Sequence, residues 1–278
     1  MAGSRFEVGQ SRTSTLDPGT AVDVISTHIN ADFDALASMV AAAKLYPKAR
    51  LLFPGSQERN VREFLRETRF PLHAERLRGF PLDEVTRLVL VDVKRASRIG
   101  PLQVLVGRPR LDLHIYDHHP AHPEDIPGTL EIVREVGATT TILVDLLREQ
   151  GTPLLPQEAT LLAAGIYEET GSLTFTSTTE ADLLAAAFCL ARGASLSQAA
   201  GFVRRELSAE QLGLLNALVR AAETYTINGV RVVVSTASLD RYVGDLAVLT
   251  HKLRDMENID VLFTLVRMED RVHLVARS

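Results

Sequence analysis

The chain has 278 residues, 46% of them hydrophobic, so it can bury a substantial core and is not expected to be disordered. Its net charge of −5 argues against a protein that coats long nucleic acid, because such proteins carry a basic face. The single cysteine, Cys189, excludes an internal disulfide, and no apolar run is long enough to span a bilayer, so we expect a soluble cytoplasmic protein.

The first half of the chain alternates strand and helix patterns. Residues 1–20 are rich in Ser, Thr and Gly without apolar periodicity, which predicts a flexible leader outside the fold. Next come a predicted strand over 21–27, a helix over 34–47 that a proline ends, and a strand over 49–55. Two strands joined by a helix form a β-α-β unit, which predicts a parallel sheet.

The same alternation continues to about residue 200. The predicted elements are a helix, two buried strands, two helices, a short extended segment and a further helix, over residues 60–68, 87–93, 111–117, 138–149, 157–166, 171–177 and 180–191. The run Val-Leu-Val-Asp-Val is typical of strands buried on both faces of a parallel sheet. We therefore predict an α/β fold with a doubly wound, mostly parallel sheet over residues 21–200.

The last part of the chain predicts a second, smaller α/β domain. Residues 201–225 have apolar residues at helical spacing after a Ser-Ala-Glu-Gln start, which predicts a connecting helix. A strand over 230–237, a helix over 245–256 and a strand pair around a Met-Glu-Asp turn follow. We expect residues 226–278 to form a partial domain with an open, apolar sheet surface, which would favour self-association into a homodimer.

Acidic and imidazole side chains follow three of the predicted strands at the point where each strand ends. They are His28, Asp32 and Asp34 after the first strand, Asp92 after a Val-Leu-Val run, and Asp117, His118 and His119 after Leu-His-Ile-Tyr. Because the carboxyl ends of parallel strands meet at one edge of a sheet, we expect these groups in one crevice. So many carboxylates repel each other strongly unless cations neutralise them, which predicts a metal site.

The residue types favour a pair of transition-metal ions. Mixed His and carboxylate ligands suit Mn²⁺, Zn²⁺ or Fe²⁺ rather than Ca²⁺, and an acidic set of this size can hold two ions that share a bridging carboxylate. Taken singly, Asp32 and Asp34 could instead cap the following helix, and His28 or His119 could be a hydrogen-bonded structural histidine. Their joint placement at successive strand ends, together with the Asp-His-His triplet, favours the metal site.

Four segments resemble the motifs of DHH superfamily phosphoesterases, in the family's order. They are HINADFDALAS at 28–38, VLVD at 89–92, DHHP at 117–120 and GIYEETG at 165–171. Within that superfamily, residues 28–47 and 52–64 are similar to the N-terminal DHH modules of long bacterial proteins that continue into CBS domains and a poly(A)-polymerase-type tRNA nucleotidyltransferase. The resemblance implies a covalent continuation of this kind.

The resemblance also implies the ligands of two Mn²⁺ ions, with Mg²⁺ or another divalent transition metal as alternatives. The implied metal ligands are His28, Asp32, Asp34, Asp92, His118 and Glu169. The implied catalytic residues are Asp117, His118 and His119. Asp92 would bridge the ions, Asp117 would orient the site from behind, and His119 would face the scissile phosphate. Two departures accompany the match: Glu169 stands where the motif normally has Asp, and these 278 residues contain no Gly-Gly-Gly-His run for gripping substrate.

The implied activity is that of a Mn²⁺-dependent phosphoesterase, which hydrolyses short oligonucleotides or small phosphorylated nucleotides through a metal-activated water. The superfamily includes short-oligonucleotide exonucleases and exopolyphosphatases, so a pyrophosphate or polyphosphate hydrolase is the alternative enzyme. A non-catalytic nucleotide-sensing module of a tRNA nucleotidyltransferase-type protein is the alternative from a different functional class.

Overall fold

The computed structural model describes residues 22–68, 70–203, 207–257 and 259–277, so the predicted leader lies outside the described residues. The chain divides into two compact units, with the boundary between residues 204 and 205. Across the described ranges, no helix is long and apolar enough to cross a membrane.

The first unit is built on a parallel sheet. Its strands are β1 (Val22–Ser26), β2 (Arg50–Leu52), β3 (Ala74–Glu75), β4 (Val85–Val91), β5 (Asp112–Asp117) and β6 (Leu130–Val133). They lie in the order β3-β2-β1-β4-β5-β6, and every neighbouring pair is parallel. The order reverses between β1 and β4, which creates a crevice beyond the carboxyl ends of these two strands. The predicted α/β fold with a parallel sheet is confirmed.

The strand register aligns the three strand ends that carry the candidate ligands. Ser26 of β1 lies opposite Leu90 of β4, and Leu90 lies opposite Ile115 of β5. Two positions beyond these partners, the three segments reach His28, Asp92 and Asp117. These residues therefore emerge at one level along the edge of the sheet.

Helices cover the sheet of the first unit. They are α1 (Phe33–Leu45), α2 (Arg59–Thr68), α3 (Thr139–Glu149), α4 (Pro156–Thr170), α5 (Glu180–Ala191) and α6 (Leu196–Val203). Helix α1 is buried from Phe33 to Ala42, because mostly apolar and small residues occupy all of its sides. It packs against α3 and α4 in the larger of the two cores of this unit. The smaller core lies under the 3₁₀ segment Gly100–Leu105 and contains Leu88 and Leu90 of β4.

Helix α4 is longer than the helix predicted at 157–166. It continues to Thr170, so that Glu168 and Glu169 lie on its last turn. Gly171 ends the helix with φ of 55°, a left-handed conformation that glycine adopts without steric cost. The two glutamates of the fourth motif are therefore held by regular helix and not by a loop.

The prediction of an extended segment at 171–177 is wrong. The chain turns back on the end of α4, where the amides of Ser172 and Phe175 donate hydrogen bonds to the carbonyls of Tyr167 and Thr170. The Leu-Thr-Phe alternation in this segment is typical of a strand. Its backbone amides instead form hydrogen bonds within the turn, so the segment does not pair with a strand of the sheet. The prediction also omitted β3, β6 and α6, which are short and contain few buried residues.

The second unit combines a mixed sheet with two helices. Its elements are α7 (Ala209–Arg220), β7 (Glu223–Ile227), β8 (Val230–Leu239), α8 (Leu246–Glu257), β9 (Val261–Met268) and β10 (Arg271–Arg277). The strand order is β10-β9-β8-β7, with β8 and β9 parallel and the two outer pairs antiparallel. The strand, helix and strand pair predicted for residues 230–277 are confirmed.

The connecting helix predicted over 201–225 ends earlier than expected. Helix α7 stops at Arg220, and residues 223–227 form strand β7, which pairs with β8. The turn between these strands is Asn228-Gly229, and both residues have positive φ, at 51° and 81°. Asn-Gly with two positive φ values is the preferred turn of a tight hairpin, so the local chemistry favours a strand here over more helix.

The sheet of the second unit buries one of its faces. Leu214 of α7, Leu249 of α8 and Leu262 of β9 belong to one buried cluster. Several apolar side chains of the edge strands are exposed, namely Tyr225, Ile227, Val272 and Leu274. The homodimer expected from the sequence stays a prediction.

Candidate metal centre

The carboxyl ends of β1 and β4 bring a first group of donors together. His28 Nε2 lies 3.3 Å from Asp92 Oδ2 and 3.7 Å from Asp32 Oδ2. One donor atom from each of the three residues lies within 4.8 Å of the others, a spacing that suits a single metal ion. Asp32 also caps α1, because its Oδ1 accepts the amide of Ala35 at 3.0 Å. Its two oxygens thus serve the helix and the donor group separately.

A second group of donors lies between β4 and β5. It consists of Asp92, His118 and His119, again with donor atoms within 4.8 Å of one another. His118 Nε2 is 3.6 Å from Asp92 Oδ1, and His119 Nδ1 is 3.8 Å from the same oxygen. Asp92 therefore belongs to both groups and directs a different oxygen to each.

The backbone of Asp92 is unusual. Its φ is 59°, in the left-handed region that residues with a Cβ seldom adopt, although aspartate tolerates it better than most. The amide of Asp92 donates to the carbonyl of Tyr116 at 2.9 Å, so the turn is held by the neighbouring strand. Such conformations cost free energy and cluster at functional sites.

Backbone carbonyls set the tautomers of two histidines. His28 Nδ1 lies 2.9 Å from the carbonyl of Ile29, and His118 Nδ1 lies 3.1 Å from that of Val136. A carbonyl only accepts, so Nδ1 carries the hydrogen in the neutral ring and the lone pair is on Nε2. In both residues this Nε2 faces Asp92. A metal-binding histidine has the same arrangement, with the second nitrogen donating to a backbone oxygen.

Asp34 is fully buried at the base of the centre. Its two oxygens accept the amides of Thr139 and Thr140, each at 2.8 Å, at the N-terminus of α3. Its Oδ2 is 4.0 Å from His118 Nε2. Asp34 is outside both donor groups. The structure places this predicted ligand near His118 of the second group, with its carboxylate hydrogen-bonded to the first amides of α3.

Asp117 orients the histidines that follow it. Its Oδ1 accepts the amide of His118 at 2.9 Å and faces His119 Nδ1 at 2.7 Å. This hydrogen bond raises the pKa of His119, against the opposing effect of burial. The His119 side chain is partly exposed, at 37%, so it can reach a ligand that enters from solvent.

The two glutamates at the end of α4 face different neighbours. Glu169 lies outside both donor groups, but burial, followed by repulsion from Asp34 and Asp32, raises its pKa to about 8. Burial likewise raises the pKa of Glu168 to about 8, and its carboxylate accepts the amide of Phe33 at 2.5 Å. Glu168 is thus bonded to the start of α1, whereas Glu169 lies within electrostatic reach of Asp34 and Asp32.

The charges of the centre are poorly balanced. Burial raises the pKa of Asp92 well above its usual range, and the charge of Asp34 raises it further. Burial lowers the pKa of His28, but hydrogen bonds with Asp32 and Asp92 outweigh this effect and raise it to about 10. Among the described residues, His118 Nε2 and Asp117 Oδ2 are buried without a hydrogen-bond partner. Clustered carboxylates and a buried, unpaired imidazole nitrogen fit the binding of a divalent cation.

Comparison with known proteins identifies the family. Residues 24–166 match the sequence profile described as the DHH family, N-terminal domain. The chain belongs to the DHH family. It is 50% identical over 258 residues to an A-adding tRNA nucleotidyltransferase of Geobacter sulfurreducens and 33% identical over 253 residues to one of Aquifex aeolicus, covering 92% and 89% of this chain. The chain spans 29% of the length of each relative. The predicted family and its likeness to nucleotidyltransferase-type proteins are confirmed.

A solved structure shares the fold of this DHH chain. It is an exopolyphosphatase-related protein from Bacteroides fragilis, with a TM-score of 0.74 and 17% sequence identity. The alignment covers 92% of this chain and 79% of that protein. At this identity the likeness concerns the fold alone.

The structure adds residues that sequence reasoning missed. Thr139 donates from its hydroxyl to Asp92 Oδ1 at 3.0 Å, and a run of three threonines at a helix start was the available signal. Arg98 reaches the centre from the turn after β4, with Nη2 3.4 Å from His28 Nδ1. Its sequence surroundings contain no pattern that would have indicated this position.

Proposed function

We propose that this DHH module is a metal-dependent phosphoesterase that hydrolyses short oligonucleotides or small phosphorylated nucleotides. The observation that carries the proposal is the position of Asp92 between two groups of donors, with Nε2 of His28 facing one of its oxygens and Nε2 of His118 facing the other. A carboxylate shared in this way is what a two-ion centre for phosphoryl transfer requires.

The proposed ligands divide into two sets around Asp92. His28 and Asp32 complete one set, and His118 with Asp34 completes the other. We propose Glu169 as a further ligand, because Asp32 and Asp34 both act on its pKa. When bound, divalent ions at these positions neutralise the carboxylates, activate a water and stabilise charge on the transferred phosphoryl group. We propose Mn²⁺ because imidazole and carboxylate ligands together suit it.

The protein groups around the ligands have roles of their own. The carbonyls of Ile29 and Val136 hold the ligand histidines in the required tautomer. The hydrogen bond from His119 Nδ1 to Asp117 raises the pKa of His119, and in the protonated ring Nε2 can donate a hydrogen bond to a phosphate oxygen. Thr139 restrains the shared carboxylate of Asp92 from the start of α3.

A second candidate function uses the same centre on phosphoanhydride bonds of pyrophosphate or polyphosphate. The likeness in fold to an exopolyphosphatase-related protein favours this candidate. A module that senses nucleotides without hydrolysing them is the third candidate. The names and length of the relatives suggest that such a module would belong to a longer nucleotidyltransferase-type protein.

A hydrolysis screen with Mn²⁺ separates the three functions. The substrates are bis-p-nitrophenyl phosphate, pAp, dinucleotides, pyrophosphate and polyphosphate, assayed with the wild-type protein and with Asp92→Asn. We expect the wild type to hydrolyse the phosphoesters and Asp92→Asn to hydrolyse none of them. Activity confined to the two anhydrides would favour the second function. Nucleotide binding without any hydrolysis by the metal-loaded protein would favour the third.

A further inference from the structure

The turn after β4 places Arg98 firmly beside the candidate metal centre. The carbonyl of Arg98 accepts the amide of Ile29 at 2.8 Å, which joins this turn to the loop that carries His28. Gly100, with φ of 54°, allows the two loops to approach, since a Cβ there would lie 2.9 Å from the Ile29 side chain. The backbone of Arg98 is therefore fixed against the first group of donors.

Among the described residues, no hydrogen-bond acceptor is paired with the guanidinium of Arg98. Its Nη2 lies 3.4 Å from His28 Nδ1, but that nitrogen already directs its hydrogen to the carbonyl of Ile29. A protonated nitrogen cannot accept a hydrogen bond. Within the part of the chain that the structure describes, Arg98 also has no carboxylate within ion-pair distance, and its side chain is exposed to solvent.

The neighbouring basic side chains are already paired. Lys94 Nζ lies 3.1 Å from Asp125 Oδ2, and Arg95 Nε lies 3.8 Å from Asp125 Oδ1. These two cations therefore neutralise a loop carboxylate and are not directed to a ligand. Arg98 differs from them because it faces the donor residues and, over the described ranges, forms no ion pair with a carboxylate.

The charge of Arg98 acts on residues of both donor groups. For Asp32, burial raises the pKa and the His28 hydrogen bond lowers it, and Arg98 adds to the lowering. For His119, the Asp117 hydrogen bond raises the pKa, and Arg98 opposes that rise. The guanidinium is thus 3.4 Å from His28 and within electrostatic reach of a residue in each donor group.

We propose that Arg98 binds the non-bridging oxygens of a substrate phosphate at the metal centre. This proposal rests on the proposed function. A guanidinium offers a planar fork of donors that matches phosphate oxygens, and it stays charged at any physiological pH. An exposed guanidinium beside an acidic site, without a carboxylate of its own, is positioned to add the positive charge that a phosphate needs on its solvent side.

The test measures the affinity of Mg²⁺-loaded protein for inorganic phosphate by isothermal titration calorimetry. Replacing Arg98 by Ala should weaken phosphate binding about 10- to 100-fold, as expected for the loss of charged hydrogen bonds. Arg98→Lys should fall between Ala and wild type, because lysine keeps the charge but not the fork. Arg95→Ala is the matched control and should change the affinity less than about threefold, because Arg95 faces Asp125 and is not directed to the metal centre.

Two further readouts separate this role from a structural one. Arg98→Ala should not weaken Mn²⁺ binding, because the change removes a positive charge from beside the cation site, and it should keep the wild-type melting temperature. Its kcat/KM for bis-p-nitrophenyl phosphate should fall with the phosphate affinity. Unchanged phosphate affinity in Arg98→Ala would overturn the proposal, as would an equal loss of Mn²⁺ binding. If the wild type binds phosphate through Arg98 but hydrolyses no phosphoester, the proposed function fails and the assignment of Arg98 stands.

Discussion

Replacing Asp92 by Asn should abolish metal-dependent stabilisation of the protein. Asp92 directs one oxygen to His28 and the other to His118, so its loss affects both donor groups at once. Asp32 belongs to the first group alone. We therefore expect Asp92→Asn to lose both ions and Asp32→Asn to lose chiefly one.

The magnitude follows from the linkage between binding and folding. At a free Mn²⁺ concentration of about 100 times Kd, each occupied site stabilises the folded state by about 2.7 kcal/mol, so two sites contribute about 5 kcal/mol. For a domain of this size, about 1 kcal/mol corresponds to about 2–4 °C in melting temperature. The wild type should therefore gain about 10–20 °C on addition of Mn²⁺, Asp32→Asn about half of that, and Asp92→Asn almost nothing.

The metal-free stability of Asp92→Asn should stay close to that of the wild type. Burial and the nearby Asp34 raise the pKa of Asp92, so a neutral amide removes an unfavourable charge. The amide oxygen can still accept the hydroxyl of Thr139, which lies 3.0 Å from the carboxylate. Fold disruption is thus not expected to mimic metal loss.

The assay is differential scanning calorimetry with and without Mn²⁺, supported by metal analysis of the dialysed proteins. Asp112→Asn is the matched control, because Asp112 begins the strand that Asp117 ends, about 16 Å from the centre. Its loss of the ion pair with Arg87 should lower the melting temperature equally with and without metal. A full Mn²⁺-dependent shift in Asp92→Asn would refute the shared-carboxylate centre.

Three further predictions concern single groups. In a hydrolysis assay, Glu169→Gln should lose most of the phosphoesterase activity, while Glu169→Asp should keep it. If Glu168→Gln is the damaging change instead, the fourth motif is misplaced by one residue. Mn²⁺ affinity should rise from pH 7 to 9. His28, with a pKa of about 10, and Glu169, with a pKa of about 8, hold protons at pH 7 that must leave when the cation binds. Calorimetry in buffers of different ionisation enthalpy measures this proton release. Cys189, whose pKa burial raises to about 12, should resist Ellman's reagent at pH 8 until the protein is unfolded.

The positions of the candidate ligands along the chain could be predicted from local sequence. Apolar runs identify β1, β4 and β5, and the parallel order of the sheet brings their ends to one edge. His28, Asp92 and Asp117 come directly after these runs. Short-range signals also located α5, whose predicted bounds of 180–191 match the structure. Each of these inferences depends on residues that are close together in the sequence.

The hydrogen-bond partners of the same residues were decided by the tertiary structure. Asp34 accepts amides from residues 139 and 140, and the carbonyl that sets the tautomer of His118 belongs to Val136. Arg98 meets His28 across a separation of 70 residues in the sequence. Contacts between distant segments leave no periodic pattern in the sequence of either segment. Such a contact depends on how the strands and helices pack, which neighbouring residues in the sequence do not specify. The sequence therefore determines which groups reach the sheet edge, and only packing decides which atom of each group faces a ligand.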